Sequence, residues 1–227
     1  MVFFFFLFFF FFFFSRDKLA SHWSRRMSEG SSEKKLHSAA DDGILDEVKE
    51  ILRSNFTLDV NWEDSRGCTA FHRACRKGHD DIVSILLAHP NIDVNPKNDW
   101  KETPFMLACS DGKTSYVCLL KDSRVNIDEP DGDGHTPLWR AASHGHLALI
   151  KWWIVSGREM DLGQPGNENT DAIRIARNPG EDRHEVQTDF ETRKHRCAEV
   201  VTLLERFKKN PEDTRSDVRK ELGIKGG

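Results

Sequence analysis

Apolar residues recur along this chain in blocks. Leu138-Trp139-Arg140-Ala141-Ala142 superimposes on Leu36-His37-Ser38-Ala39-Ala40, Phe71-His72-Arg73-Ala74-Cys75 and Phe105-Met106-Leu107-Ala108-Cys109. Ile173-Arg174-Ile175-Ala176-Arg177 follows the same plan with more departures. The leading residues stand 35, 34, 33 and 35 positions apart, a regularity that marks internal repetition. A glycine lies four residues after the first alanine position in four units, at Gly43, Gly78, Gly112 and Gly145. Then comes a second apolar stripe: Val48, Ile51 and Leu52; Ile82, Val83, Leu86 and Leu87; Tyr116, Val117 and Leu120; Leu149, Ile150, Trp153 and Ile154; Val200, Val201 and Leu204. Spacing of i, i+3, i+4 places each stripe on one face of a helix.

Each unit therefore predicts a helix, a tight turn, a second helix and an extended finger. Asp59-Val60-Asn61, Asp93-Val94-Asn95 and Asn126-Ile127-Asp128 supply turn-prone segments after three of them. Thr69, Thr103 and Thr136 are placed to cap the first helices, and Pro104 and Pro137 to fill the first turn, where a missing N–H costs nothing. Small Ala and Cys residues let neighbouring helices approach, and the glycine ends the helix in a left-handed conformation. The expected fold is all-α: about five helix-turn-helix units with short finger hairpins, plus a C-terminal capping helix. That last helix starts at Asn210-Pro211-Glu212-Asp213, carries Val218 and Leu222 on a narrow apolar face, and stops at Gly223.

The motif that carries this pattern resembles the ankyrin repeat. Its form D-x-x-G-x-T-P-L-H-x-A-A-x-x-G-H is nearly complete from Asp131 to His146, with Trp139 in the His place. It is good from Asp64 to His79, where Ala70 replaces Pro. The resemblance covers about residues 35 to 207 and implies an ankyrin-repeat solenoid. Three departures stand out. Lys101 occupies the turn-glycine position of the third unit, where a different turn geometry is expected. Lys121 stands where Leu87 packs, so its stem is expected on apolar surface with the ammonium in water. The fifth unit spans 25 positions from Ala176 to Val201, against nine from Ala74 to Val83. The sixteen extra residues form either a polar loop or an N-terminal extension of the second helix. The resulting division is a leader at 1–30, a repeat domain at 31–209 with an insertion at 177–196, and a helix and tail at 210–227.

The leader alters the picture at one place. Residues 2–14 are wholly apolar, and eleven of them are Phe. As a helix they would span about 20 Å, short of the roughly 30 Å hydrocarbon core of a bilayer. No basic residue precedes the run and no A-x-A-like cleavage site follows it. Three origins stay open: a gene-model artefact absent from the working protein, with Met27 in frame behind it; a targeting segment; or a membrane-surface anchor.

Charge and cysteine content narrow the function classes. The net charge is −4, and without the first 26 residues, which hold four Lys/Arg and one Asp, it is −7. With no basic block, nucleic acid is not expected as a partner. Five cysteines, none in C-x-x-C spacing, point to a reducing compartment, hence cytoplasmic or nuclear placement. No phosphate-cradling glycine loop, G-x-S-x-G elbow or H-E-x-x-H occurs. Asp41-Asp42 and Asp80-Asp81 read as solvation and helix-start charge, so no enzyme activity is expected. His37, His72 and His79 occupy places where the family's imidazole bonds loop backbone. His184, His195 and Cys197 in the insertion are an alternative, zinc-dependent site without recognisable ligand spacing. No cofactor or metal is otherwise expected.

What remains is surface. The resemblance implies a partner protein held on a concave face by the variable residues before T-P and between the alanines and glycine. These are Ser65, Arg66, Cys68, Arg76 and Lys77 in the second unit, and Asp99, Trp100, Glu102, Ser110 and Asp111 in the third. In the fourth they are Gly132, Asp133, His135, Ser143 and His144. Cys68, placed in a finger, is expected to be the exposed thiol. Trp100 either anchors a partner or packs across the next finger, whereas Trp62, Trp152 and Trp153 read as packing residues. The expectation is a monomeric, non-enzymatic adaptor or scaffold. The alternative is a membrane-tethered or secreted binding protein, should residues 2–14 be translated and used.

Overall fold

The computed structural model describes residues 32–55, 57–180 and 187–224. The leader at 1–30 with its Phe run, and residues 181–186 of the insertion with His184, lie outside them. Eleven helices stand in two rows among the described residues. The first-helix row is α1 (Ser32–Asp42), α3 (Ala70–Lys77), α5 (Pro104–Ser110), α7 (Pro137–Ser143) and α9 (Ala172–Arg177). The second row is α2 (Leu45–Ser54), α4 (Asp80–Leu87), α6 (Tyr116–Lys121), α8 (Leu147–Ser156) and α10 (Gln187–Lys209), with α11 (Pro211–Glu221) closing the chain. Each helix packs on its unit partner and on the next helix of its own row, which makes a stacked solenoid.

The repeat residues form the spine of this stack. Leu36, Phe71, Phe105 and Leu138 are each no more than 1% exposed, and full burial of such a side chain stabilises by about 1.5–3 kcal/mol. Ala39, Ala74, Ala108 and Ala141 are buried beside them, where a larger side chain would hold the helices apart. The hydroxyls of Thr69, Thr103 and Thr136 accept the N–H groups of His72, Met106 and Trp139, capping α3, α5 and α7. Helix ends couple one unit to the next. Gly43 has φ 77°, and a Cβ there would come within 2.5 Å of the His79 ring. His79 in turn donates from Nε2 to the Asp41 carbonyl (3.1 Å). Glycine is thus required twice, by its dihedral and by the imidazole resting on it.

The finger of the third unit keeps its turn despite Lys101, which adopts φ 60°. Its N–H donates to the Asn98 carbonyl (2.8 Å), as Gly67 donates to Asp64 and Gly134 to Asp131 (both 3.1 Å). Such a φ costs a residue with a Cβ on the order of 1 kcal/mol. Lys121 is exposed, as its ammonium requires.

The fifth unit takes the helical alternative: α10 runs for 23 residues and carries the extra length at its N-terminal end. Asn210 caps α11 by accepting the Asp213 N–H (3.3 Å), and Val218 is buried against the second-helix row. Arg215 Nε donates to the Ile154 carbonyl (3.0 Å), and Lys151 pairs with Glu221, which docks α11 across α8 and α10. No described helix is long and apolar enough to cross a membrane.

Candidate functional site

The fingers are hairpins reduced to one tight turn, and a single side chain organises each. Asp64 Oδ1 accepts the N–H groups of Arg66 (2.8 Å) and Cys68 (3.0 Å). Asp131 Oδ1 does the same for Asp133 (3.0 Å) and His135 (2.9 Å). In the third unit the amide oxygen of Asn98 receives Trp100 (3.0 Å) and Glu102 (2.9 Å). Fingers are also linked to one another: Asp99 N–H reaches the Arg66 carbonyl (3.1 Å), and Gly132 N–H the Trp100 carbonyl (2.8 Å). These bonds fix the spacing of the loop tips.

Nine residues after the turn acid, an arginine ties finger to helix. Arg73 Nη2 lies 2.5 Å from Asp64 Oδ2, and Arg140 Nη2 lies 2.6 Å from Asp131 Oδ2. Burial pushes both carboxyls up, but the arginine and the backbone N–H groups outweigh it, so both sit below the ordinary carboxylate range. The third unit has neither charge. Its turn residue is the neutral Asn98, and Leu107 occupies the position of Arg73 and Arg140. Asn98 Nδ2 donates instead to Glu102 Oε2 (2.9 Å).

Beside it lies a small pocket of about 40 Å³ whose lining includes Arg66, Arg73, Arg76, Trp100, Glu102 and Leu107. Trp100 is 54% exposed, while its backbone, and not its indole, joins the next finger. Leu107, 8% exposed, forms an apolar floor. The Arg66 guanidinium makes no ion pair with a described residue, and Arg76 Nε lies 3.6 Å from Asp111. The pocket therefore offers an aromatic plate and an apolar floor between cations.

Other expected contact residues fall into three groups. Ser65, Lys77, Asp99, Asp111, Gly132 and Asp133 are exposed, and Ser110 is half-buried. His135 and His144 are half-committed to packing. His135 stacks on Trp139 at 4.0 Å between ring centroids, and His144 Nδ1 bonds the Arg140 carbonyl at 2.8 Å. Two residues are corrected. Cys68 is only 5% exposed, and burial pushes its thiol up, so it is neither an accessible contact nor a reactive group. Ser143 is 7% exposed; its hydroxyl donates to the Arg140 carbonyl and its own carbonyl is covered by Arg193. Leu107 and Asn98 are the site residues the motif reading passed over. The signal was present as two simultaneous departures from the Asp–Arg pair of the adjoining units.

Histidines do structural work. His72 accepts the Thr69 N–H at Nδ1 and donates from Nε2 to the Glu102 carbonyl, both at 3.1 Å; burial lowers its pKa to about 4. Trp139, in the corresponding place, donates from Nε1 to the Glu168 carbonyl (2.8 Å). His37 Nε2 accepts from Arg73 Nε (3.3 Å) and lies 3.4 Å from Asp64 Oδ2, and the ring meets Trp62 edge-on, 5.6 Å away. Trp153 is fully buried and Trp152 partly so, as packing requires. His195 is exposed and 3.9 Å from Glu199, whereas Cys197 is buried with its Sγ 3.5 Å from the Ala142 and Ser143 carbonyls. Those two do not converge on one point. Asp131, Asp133 and His135 each bring one ligand-type atom within 4.8 Å of the others, but the Asp131 carboxylate is already neutralised by Arg140.

Comparison with known proteins places these repeats. The family model for ankyrin repeats in three copies matches residues 19–98 and 90–163. A homolog of transient receptor potential cation channel subfamily A member 1 from Caenorhabditis elegans is 31% identical over 56% of this chain and 10% of its own length. SMC5-SMC6 complex localization factor protein 1 from Bos taurus is 32% identical over 61% of this chain and 13% of its own. The E3 ubiquitin-protein ligase XBAT33 from Arabidopsis thaliana is 36% identical over 53% and 24%. The matched segment is thus at most about a quarter of these relatives. The chain belongs to the ankyrin-repeat family.

Proposed function

We propose that this chain is a non-enzymatic adaptor that holds a partner protein on the face formed by its fingers and first helices, with the third finger as anchor. One observation carries the reading. Trp100 is half exposed, lines one pocket with Leu107, and stands on a finger that backbone bonds already fix, so its exposure is not what holds the finger. Trp, Tyr and Arg are enriched among the residues that dominate interface energetics. The relatives support a binding role as well: their names state different activities, while the repeat segment is what they share with this chain. The fold itself hosts many functions, so the site and not the family argues the role.

Five cysteines free of disulfides favour a reducing, cytoplasmic or nuclear setting, and the partner is engaged by a monomer. A tethered or secreted form would need residues 2–14. The test uses the full chain as bait, with wild type beside Trp100→Ala and Lys121→Ala. Proteins captured by wild type and Lys121→Ala and lost from Trp100→Ala are the partners. Affinity for them should fall about 30-fold, or about 2 kcal/mol, on Trp100→Ala with the melting temperature nearly unmoved. A large fall in stability with unchanged affinity would make Trp100 a packing residue.

A further inference from the structure

The first-helix row ends at α9, while α11 covers only the second row. Beside α9 a cleft of about 560 Å³ opens between the fifth finger and the last turn of α10. Its walls include Leu162 and Ile173, and four cations stand around it: Arg174, Arg177, Lys208 and Lys209. Two carboxylates share the cleft, and both are committed. Asp171 accepts the N–H groups of Arg174 (2.9 Å) and Gly166 (2.7 Å), and Glu205 pairs with Arg177. Arg174 is held by Glu168 and the Gly166 carbonyl, with part of its guanidinium still exposed. The Lys208 and Lys209 ammonium groups are exposed and make no hydrogen bond or ion pair with a described residue.

We propose that this cleft is a binding site for a small phosphate monoester with an apolar portion. Four cations against Asp171, Glu205 and the Glu168 that pairs with Arg174 leave one positive charge. The preference for phosphate over carboxylate comes from three cationic donor groups, Lys208, Lys209 and the exposed edge of Arg174, placed around one tetrahedral anion. Two exposed ammonium groups, of which Lys208 also lies within the field of Asp171, supply donors for that anion beside a partly exposed guanidinium. Leu162 and Ile173 offer an apolar surface for the rest of the ligand. The volume falls in the range of about 300–1,000 Å³ usual for small-molecule sites. The charge is local, within a chain of net charge −4, so an extended polyanion such as nucleic acid is not the match.

Phenyl phosphate is the probe, titrated into the full chain by calorimetry at low ionic strength, with benzoate in parallel. Saturable one-to-one binding is expected, with benzoate at least tenfold weaker. The pair Lys208→Ala/Lys209→Ala should weaken phenyl phosphate tenfold or more, each single variant giving part of that loss. Lys121→Ala/Arg219→Ala, which removes two exposed cations elsewhere, should leave affinity unchanged. No saturable binding, equal affinity for benzoate, or the same loss in both double variants would overturn the proposal.

Discussion

The second and fourth fingers are built one way and the third another. In the former an aspartate organises the turn and an arginine nine residues later clamps it to the first helix. In the third, Asn98 makes the same two backbone bonds without a charge, and Leu107 leaves the clamp position apolar. The turn geometry survives, including a lysine at φ 60°. The clamp is therefore dispensable for the turn and serves stability. Where it is missing, the surface gains an apolar floor, and that is where Trp100 stands. The histidine position repeats the contrast: His72 in the second unit is replaced by the buried Met106 in the third.

Titration should separate the two designs most widely. His72 is neutral in the fold with a pKa of about 4, below its unfolded value near 6.5. Its contribution is complete above pH 6.5 and is lost as pH falls from there to about 4, on the order of 3 kcal/mol. His72→Met should reduce the pH slope of urea-unfolding stability over that interval, leaving the part due to His37 and His146, whose pKa values burial also lowers; an unchanged slope would remove His72 as a source. The lowered carboxyls of Asp64 and Asp131 give a second loss, starting below about pH 4 and continuing as their folded-state values are passed. The third finger, lacking both groups, contributes to neither.

Next in size is the clamp. Arg140→Ala leaves the Asp131 carboxylate, 2% exposed, without its partner and should cost about 2–3 kcal/mol in urea unfolding at pH 7. In the third unit the clamp has to be built, not removed. Asn98→Asp alone places an unclamped carboxylate beside Glu102 and should cost about 1–2 kcal/mol. Adding Leu107→Arg should recover at least about 1 kcal/mol, a coupling that a double-mutant cycle reads directly. Additive effects would mean that the second and fourth fingers owe their clamps to something besides these two positions. The smallest change is Lys101→Gly, which should raise stability by about 0.5–1 kcal/mol by relieving the positive φ.

The sequence made the stack legible because its constraints are local and repeated. Threonine caps, glycine helix ends and the Leu36, Phe71, Phe105, Leu138 spine all stand where periodicity put them. Side-chain exposure within a finger was harder. Cys68 lies in a loop, yet the tight turn folds its thiol inward toward Asn98. Ser143 lies between the alanines and the glycine, where exposure is the family expectation. Here the long helix of the fifth unit covers it. The cleft beside α9 was equally unreadable, because its cations come from helices more than thirty positions apart in sequence.

The most direct measurement is partner affinity of the Asn98→Asp/Leu107→Arg variant, which rebuilds in the third finger the clamp of its neighbours and leaves Trp100 in place. The expected result is a folded protein, melting within a few degrees of wild type, whose affinity for the captured partner falls at least tenfold. A folded variant that binds as tightly as wild type would show that the apolar floor under Trp100 is not what the partner recognises.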